Sequence, residues 1–446
     1  MGVAAILGVS IRVSNVFVYP IDMGYDAGGN WDYIALLLNS WVLPAPDEGW
    51  ATAHPPFFYY IAAAIGRSVG WVGSLDKSIV VHAVRLVMTA SGLLGVWVAV
   101  SLVHRADPGN TRRTFIAGGL LLFLPVHIYM SAMLSEEILV TALISIAVVG
   151  VAMDLSAPPT PGRALVRAAV FGAVAGLALL TKLTGLLVIG AGGAAYLIDG
   201  NRSGERLAAF RRALVFVAAA ILVGGGFYVR NLLSYGYLYP HGLEVHSVMF
   251  AMPPGVRSVA DYLWIPWQTF SEPDLLSPSL LHSVWGSTYV TIWFDGHHHF
   301  LPSSGSAVAK SGMAMLLLGI VPSLAFAVGL GRGTRRLFRR VRGPDVVLIL
   351  LVVSTLAGYV LFTWQNPWFA VLKGSFLLGL SVPFSYYASE VLADWTRSRG
   401  LRSVAILACL GLLTALVMVT FSYGFAFEKH EMPGIQWTPV ETPWRG

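Results

Sequence analysis

The sequence predicts an all-α polytopic membrane protein, because its composition and the lengths of its apolar segments both fit a lipid bilayer. Of its 446 residues, 56% are hydrophobic and 12% are charged, about half the charged share that is usual in soluble domains. The apolar residues form blocks of roughly 17 to 22, the length that crosses a hydrocarbon core of about 30 Å. Lys and Arg are concentrated in only some of the intervening segments, as expected for loops on one side of a membrane.

We expect one membrane domain over residues 1–446 with about eleven transmembrane helices. They are predicted at about 3–19, 79–103, 115–133, 138–153, 166–181, 183–198, 212–229, 310–330, 345–363, 370–390 and 403–425. A cytoplasmic N-terminus places the basic segments 104–114, 154–167, 199–212, 331–343 and 394–402 in the cytoplasm. The outer loops are then about 20–78 and 233–309, and the tail 426–446 is also outside. The net charge of +6 reflects this topology and does not indicate nucleic acid binding.

Two short apolar segments in the first outer loop are predicted to be interfacial helices. In the first segment, Trp31, Ile34, Leu38 and Trp41 recur at helical spacing, which is typical of a helix lying along the membrane surface. The second segment covers 56–70. If it crossed the membrane, every later basic loop would fall on the wrong side, so we expect it to lie at the interface as well.

Several ionisable residues are predicted at one level, near the outer ends of the spans. They are Asp26, His54, Arg85, Glu136, Glu137, Lys182, Arg230 and Lys373. Each has an ordinary structural explanation, such as an N-cap for Asp26 or a helix start at Ser135-Glu136. Snorkelling accounts for one or two of the cations. Polar residues at membrane depth are costly, however, and so many at one level indicate a site for an anionic ligand.

Six short motifs occur in a recognisable order over about 20–380. They are Tyr25-Asp26 before an interfacial helix, His54-Pro55-Pro56 followed by aromatics, Ser135-Glu136-Glu137, Thr181-Lys182-Leu183-Thr184-Gly185, Arg230-Asn231 and Lys373-Gly374. In this order the chain resembles the polyprenyl-phosphate-dependent GT-C glycosyltransferases, the superfamily of protein O-mannosyltransferases and lipid A aminoarabinose transferases. Ala27 stands where many relatives have a second acid, and Ser375-Phe376 replaces a frequent Arg-Tyr pair. The resemblance implies the GT-C fold.

The resemblance also implies an inverting glycosyltransferase. Its donor would be a polyprenyl-phospho-sugar lipid, and its acceptor a glycan, a lipid or a protein. Asp26 matches the catalytic base, and Glu136 matches a second acid. His54, Lys182, Arg230 and Lys373 fall where the family contacts the lipid phosphate, and Arg85 and Glu137 join them as substrate-binding candidates. The implied location is the plasma (inner) membrane, among membrane lipids, with the active site on the outer or periplasmic side.

Other interpretations stay open at this point. A transporter or flippase for a lipid-linked glycan would also contain intramembrane charges, although it should show internal repeats and polar residues at the midplane. A glycan polymerase would need basic residues in the large outer loop, where Arg257 is the only one well inside. An inactive scaffold of the same fold is a third alternative.

No metal ligand set is predicted, but a divalent metal held by Asp26, Glu136 and one histidine is an alternative. The aromatic residues of 264–300 could stack on sugars, cover the site or lie at the interface.

Overall fold

The computed structural model describes residues 2–72, 76–157, 160–240, 256–275, 277–301, 306–339, 343–398 and 400–423. Within these ranges the chain forms helices and no β-strand, which confirms the predicted all-α class. The α-helices are α1 (Gly2–Val18), α2 (Ala27–Ser40), α3 (Phe57–Val72), α4 (Lys77–Ala106), α5 (Thr111–Leu122), α6 (Pro125–Ala132), α7 (Glu137–Ser156), α8 (Pro161–Thr181), α9 (Gly185–Ser203), α10 (Arg206–Gly224), α11 (Gly226–Tyr235), α12 (Ala260–Leu263), α13 (Pro278–Leu281), α14 (Val284–Trp293), α15 (Ser306–Leu337), α16 (Asp345–Gln365), α17 (Ser381–Trp395) and α18 (Leu401–Thr420). Three 3₁₀ helices cover Trp267–Phe270, Phe369–Val371 and Gly374–Leu380.

Among the described residues, eight helices are long and apolar enough to cross a membrane, or nine if the bent pair α5–α6 is one span. The helix α1, with 17 residues, is shorter than these, and α9 is not among them. The predicted count of eleven is therefore not confirmed and stays a prediction. The helices α2 and α3 occupy the two segments predicted to be interfacial. The predicted outer position of the tail 426–446 concerns residues outside the described part.

The prediction of one continuous helix over 115–133 is wrong. The chain bends by 47° between α5 and α6, because Pro125 at the start of α6 cannot donate a backbone hydrogen bond. Hydrocarbon offers no water to the carbonyl groups that the break exposes. The buried guanidinium of Arg12 satisfies them instead, donating to the carbonyl oxygens of Leu122 at 2.8 Å and Leu121 at 3.3 Å. Arg12 also donates to the carbonyl oxygen of Gly8 at 2.8 Å and lies 3.1 Å from Nδ1 of His127.

The helix α7 lies at the centre of the bundle. In its apolar stretch, 89% of the residues are buried inside the protein. Small residues allow the helices around it to approach closely, as is usual between membrane helices. A Cβ atom added to Gly176 of α8 would lie 2.5 Å from the carbonyl oxygen of Ala220 on α10. Since Glu136 and Glu137 begin α7, these acids are placed at the end of the most enclosed helix.

Part of the predicted outer loop 233–309 packs into the helix bundle. The side chain of Thr288 on α14 is hydrogen-bonded to the hydroxyl of Tyr359 on α16 at 2.7 Å. At the other end of α14, the indole of Trp293 donates to the hydroxyl of Ser323 on α15 at 3.0 Å. Residues 241–255, 276 and 302–305 of this loop are outside the described part. The segment α14 is therefore a core element, and it carries one wall of the site.

Candidate active site

The site is built around Asp26, which has an unusual backbone conformation. Its φ of 53° lies in the left-handed region, which is costly for residues other than glycine and is often retained at functional sites. Asp26 occupies the N-cap position of α2, yet its carboxylate accepts no hydrogen bond from the first turn. Its Oδ1 instead accepts from the indole of Trp50 at 3.2 Å, and its Oδ2 lies 3.6 Å from Nζ of Lys373. The carboxylate is thus held by side chains distant in sequence.

Glycine at position 29 allows Trp50 to reach Asp26. A Cβ atom added to Gly29 would lie 2.5 Å from the indole ring of Trp50. Gly28 and Gly29 are both helical in α2. Glycine is therefore needed at position 29 because a side chain there would collide with Trp50.

The positive surroundings of Asp26 keep its carboxylate ionised. Burial by itself raises the pKa of Asp26. The positive charges of Lys373, His54 and Lys182, together with the hydrogen bond from Trp50, outweigh this effect and lower the pKa to about 2. At neutral pH the group is therefore an anion beside a cation.

A second charged cluster joins Glu136 and Glu137 to Lys182. The ammonium of Lys182, which follows α8, lies 3.1 Å from Oε1 of Glu136 and 2.5 Å from Oε1 of Glu137. Burial raises the pKa of Glu136, but the charges of Lys182 and His54 lower it below its ordinary value. Burial tends to lower the pKa of Lys182, but the two acids raise it well above its ordinary range. The lysine is therefore a cation shared by two carboxylates.

The two clusters meet at the ring of Phe376. The ammonium groups of Lys182 and Lys373 lie 4.9 Å and 5.9 Å from the centre of this ring. Lys373 also lies 4.3 Å from the ring centre of Tyr25, the residue before Asp26. Attraction between ammonium groups and aromatic faces stabilises these positions. The structure thus brings together five of the residues predicted from the sequence, namely Asp26, Glu136, Glu137, Lys182 and Lys373.

His54 connects the two clusters. Its Nδ1 is hydrogen-bonded to the hydroxyl of Tyr59 at 3.1 Å, and this hydroxyl donates to Oδ1 of Asn30 at 2.7 Å. The charge of His54 contributes to the lowered pKa of both Asp26 and Glu136. The histidine is thus close enough to act on both acids.

Arg85 and Arg230 are directed at backbone carbonyl groups. The fully buried Arg85 donates to the carbonyl oxygens of Tyr19 at 2.8 Å and Pro20 at 2.9 Å. Arg230 donates to the carbonyl oxygens of Leu43 and Pro44 at 3.2 and 3.0 Å. Both arginines therefore hold the first outer loop in place, and neither has a described contact with Asp26.

Several residues of the site were not among the candidates from the sequence. The hydroxyl of Tyr25 is hydrogen-bonded to Nδ1 of His297 at 2.9 Å, and its ring lies 4.4 Å from that of His299. Burial lowers the pKa of His299, which is also affected by the charges of Asp295, Lys373 and Asp26. The three histidines at 297–299 were visible in the sequence, but no spacing rule could connect them with Asp26.

Thr291 of α14 fixes the backbone beside Lys373. Its hydroxyl accepts the backbone N–H of Gly374 at 2.7 Å. A Cβ atom added to Gly374 would lie 2.6 Å from the side chain of Ile292. The close packing of α14 against Gly374 thus determines where the Lys373 side chain begins.

Below the two acids lies a narrow cleft between α7, α9, α16 and the 3₁₀ helix Gly374–Leu380. Its lining includes Glu137, Thr141, Leu187, Leu351 and Ser375. In the part of the chain that the structure describes, no group of three or more His, Cys, Asp or Glu side chains is arranged to hold a metal ion.

Two solved structures with a similar fold are distant from this chain in sequence. ArnT from Cupriavidus metallidurans bound to undecaprenyl phosphate superposes with a TM-score of 0.57 at 12% identity, over 95% of this chain and 76% of that one. The oligosaccharyltransferase AglB from Archaeoglobus fulgidus, in complex with an inhibitory peptide and a dolichol-phosphate, gives 0.54 at 16% identity. That match covers 98% of this chain but only 56% of AglB.

No protein-family model matches the sequence, and neither does any curated protein sequence. The fold comparisons nevertheless agree with the resemblance seen in the motifs. The chain is a polytopic membrane protein with the GT-C fold.

Proposed function

We propose that this protein is a glycosyltransferase that moves a sugar from a polyprenyl-phosphate donor to an acceptor hydroxyl. The observation that carries the proposal is the pairing of an ionised carboxylate, Asp26, with the cation Lys373 at 3.6 Å. Both lie beside a second acid–lysine cluster in a GT-C fold. Lipid phosphates recur among the structures that share this fold, since the ArnT structure contains undecaprenyl phosphate and an AglB structure contains a dolichol-phosphate.

The chemistry requires a base for the acceptor hydroxyl and a cation for the departing phosphate. The departing group is a phosphate, which leaves as a stable anion and needs no protonation. An ammonium such as that of Lys373 stabilises the charge that develops on it. The acceptor hydroxyl loses its proton as it attacks, and Asp26 accepts this proton. Because one displacement forms the new bond and breaks the old one, the anomeric configuration is inverted.

The second cluster has a supporting part in this proposal. Lys182 is already paired with two carboxylates at 2.5 and 3.1 Å, so we assign it the role of holding Glu136 and Glu137 in place. Glu136 then positions the acceptor. When protonated, His54 lowers the pKa of both Asp26 and Glu136.

We place the site on the outer face of the plasma (inner) membrane. The support is the distribution of basic residues, which predicts that 331–343 faces the cytoplasm. Single cysteines in a variant lacking Cys409 can be tested with a thiol reagent that does not cross the membrane. We expect no labelling at Thr334 in intact cells and labelling at Asp47 of the first outer loop. Labelling of a cysteine at position 334 from outside would show that the orientation is opposite to the predicted one.

A purified preparation in lipid nanodiscs tests the function. Supplied with a radiolabelled polyprenyl-phospho-sugar and a mixture of cell-envelope acceptors, it should release polyprenyl phosphate and transfer the label. A matched preparation of Asp26→Asn is the control for contaminating enzymes. Movement of intact labelled donor across a vesicle membrane, without cleavage, would support the flippase alternative and overturn the proposal.

A further inference from the structure

The second outer loop carries an apolar surface that the proposed reaction does not use. We call it the loop patch. It consists of Val259, Leu263, Trp264, Ile265 and Trp267, with 64, 79, 48, 52 and 68% of their surfaces exposed. The one charged residue in the sequence from 259 to 271 is Asp261, whose side chain is buried. Contiguous exposed apolar surface of this kind marks a site of interaction with another molecule or with a membrane.

The backbone under the loop patch is held by hydrogen bonds. The hydroxyl of Ser283 donates to the carbonyl oxygen of Trp264 at 2.8 Å. The indole of Trp285 donates to the carbonyl oxygen of Tyr262 at 3.0 Å. Both donors lie at the beginning of α14, the helix that carries Thr291. The apolar side chains are therefore presented outward from a segment that is anchored to the site.

The loop patch adjoins the exposed side of a membrane-spanning helix. The hydroxyl of Tyr262 is hydrogen-bonded to that of Thr363 on α16 at 3.0 Å, and its ring lies 5.9 Å from that of Trp364. In the same last turns of α16, Leu361 and Trp364 are 58 and 48% exposed. Since α16 is long and apolar enough to cross the bilayer, its exposed apolar side faces lipid, and the loop patch extends this surface.

We propose that the loop patch inserts into the bilayer interface on the membrane face that contains the candidate site. Lipid is the occupant that fits, because the patch is uncharged, contains two tryptophans and continues a lipid-facing surface. Tryptophan is enriched at this depth, where its apolar ring and its N–H group are both accommodated. The segment would then act as a third interfacial element, together with α2 and α3, and would brace α14 against the membrane.

The proposal is tested by the depth of a fluorescent label in nanodiscs. Cys409 is the only cysteine in the sequence, so Cys409→Ser gives a background for the single-cysteine variant Leu263→Cys. Labelled with a polarity-sensitive dye, position 263 should emit at shorter wavelength than a label at Asp47→Cys, an exposed position of the first outer loop. A nitroxide lipid labelled near the headgroup should quench it about twofold, as expected for a segment about 5 to 10 Å deep.

Two outcomes would overturn the proposal. Solvent-like emission without quenching would show that the patch faces water. Short-wavelength emission without quenching would show that another part of the protein covers it. Should Leu263→Cys fail to fold, Trp267→Cys provides a second position on the same surface. Because the readout requires no turnover, its result is independent of whether the protein transfers sugar.

Discussion

Replacing Asp26 by asparagine isolates the proposed proton transfer from the other roles of this residue. Asparagine keeps the shape of the side chain and tolerates the left-handed φ of 53° about as well as aspartate. Its amide oxygen can still accept the hydrogen bond from Trp50. No capping interaction is lost, because Asp26 makes none. The substitution therefore removes the negative charge and the ability to accept a proton.

The expected loss of stability in Asp26→Asn is much smaller than the expected loss of rate. The ion pair with Lys373 spans 3.6 Å, and 39% of the Asp26 side chain is exposed, so its loss should cost at most about 1 kcal/mol of unfolding free energy. Loss of a general base lowers the rate by about 10²- to 10⁴-fold. Binding of the donor should be maintained or improved, because Lys373 no longer shares its charge with a carboxylate. We thus expect a large fall in kcat with little change in stability.

The assay measures sugar transfer per folded protein in nanodiscs, with thermal unfolding followed in the same sample. The matched control is Asp22→Asn, which removes another loop carboxylate, paired with Lys77, and should keep full activity. If Asp26→Asn retained turnover to within about threefold, far less than the loss of a general base costs, Asp26 would not be the base. Glu136 would then be the next candidate.

Two further predictions concern the groups that position the charges. Thr291→Val removes the acceptor of the Gly374 N–H group and should displace Lys373. Transfer should fall by up to about 10²-fold, since a misplacement of about 1 Å can cost that much. Thr288→Val is the control, and a similar loss of transfer there would refute a specific role for Thr291. Lys182→Met leaves two buried acids without their cation and should destabilise the fold by about 3 to 5 kcal/mol at neutral pH, as measured by denaturation. Because the pKa of Glu136 is lowered in the fold, its contribution to stability exists above about pH 4.5 and is lost as the pH falls. In Lys182→Met, the free energy of unfolding should therefore decrease less as the pH is lowered. An unchanged pH dependence of stability would contradict the pairing of Glu136 with Lys182.

The helical membrane fold could be predicted because the bilayer sets a simple length rule. Runs such as 79–103 and 345–363 are recognisable without knowledge of their neighbours, and both lie within helices of the structure. The break in 115–133 was not predicted, although Pro125 was visible, because a proline can also be accommodated in a bent continuous helix. The partner that stabilises the break is Arg12, and nothing local connects these positions.

For the candidate residues of the site, the sequence could predict their depth in the membrane but not which of them lie next to each other. Depth follows from the position of a residue relative to the ends of the spans, which places Asp26, Glu136, Lys182 and Lys373 on one plane. The sequence does not show toward which neighbouring helix each side chain points, because this depends on how the helices pack. Arg230 was predicted at the same depth, yet its guanidinium holds the backbone at 43–44. The insertion of α14 was missed because it is short for a span and lies in a segment otherwise typical of a loop.

Under the proposed function, the distribution of charge favours Lys373 over Lys182 as the group that receives the donor phosphate. At Lys182, a phosphate would have to displace two carboxylates at 2.5 and 3.1 Å, both nearly buried. At Lys373 it competes with one carboxylate, at 3.6 Å and partly exposed to water. Displacing a buried partner leaves its charge uncompensated, whereas water compensates a partly exposed one. Donor binding therefore costs less at Lys373, and it also releases Asp26 from its cation. When Lys373 is shared between Asp26 and the donor phosphate, the pKa of Asp26 rises from about 2. The carboxylate is then a stronger base while the donor is bound.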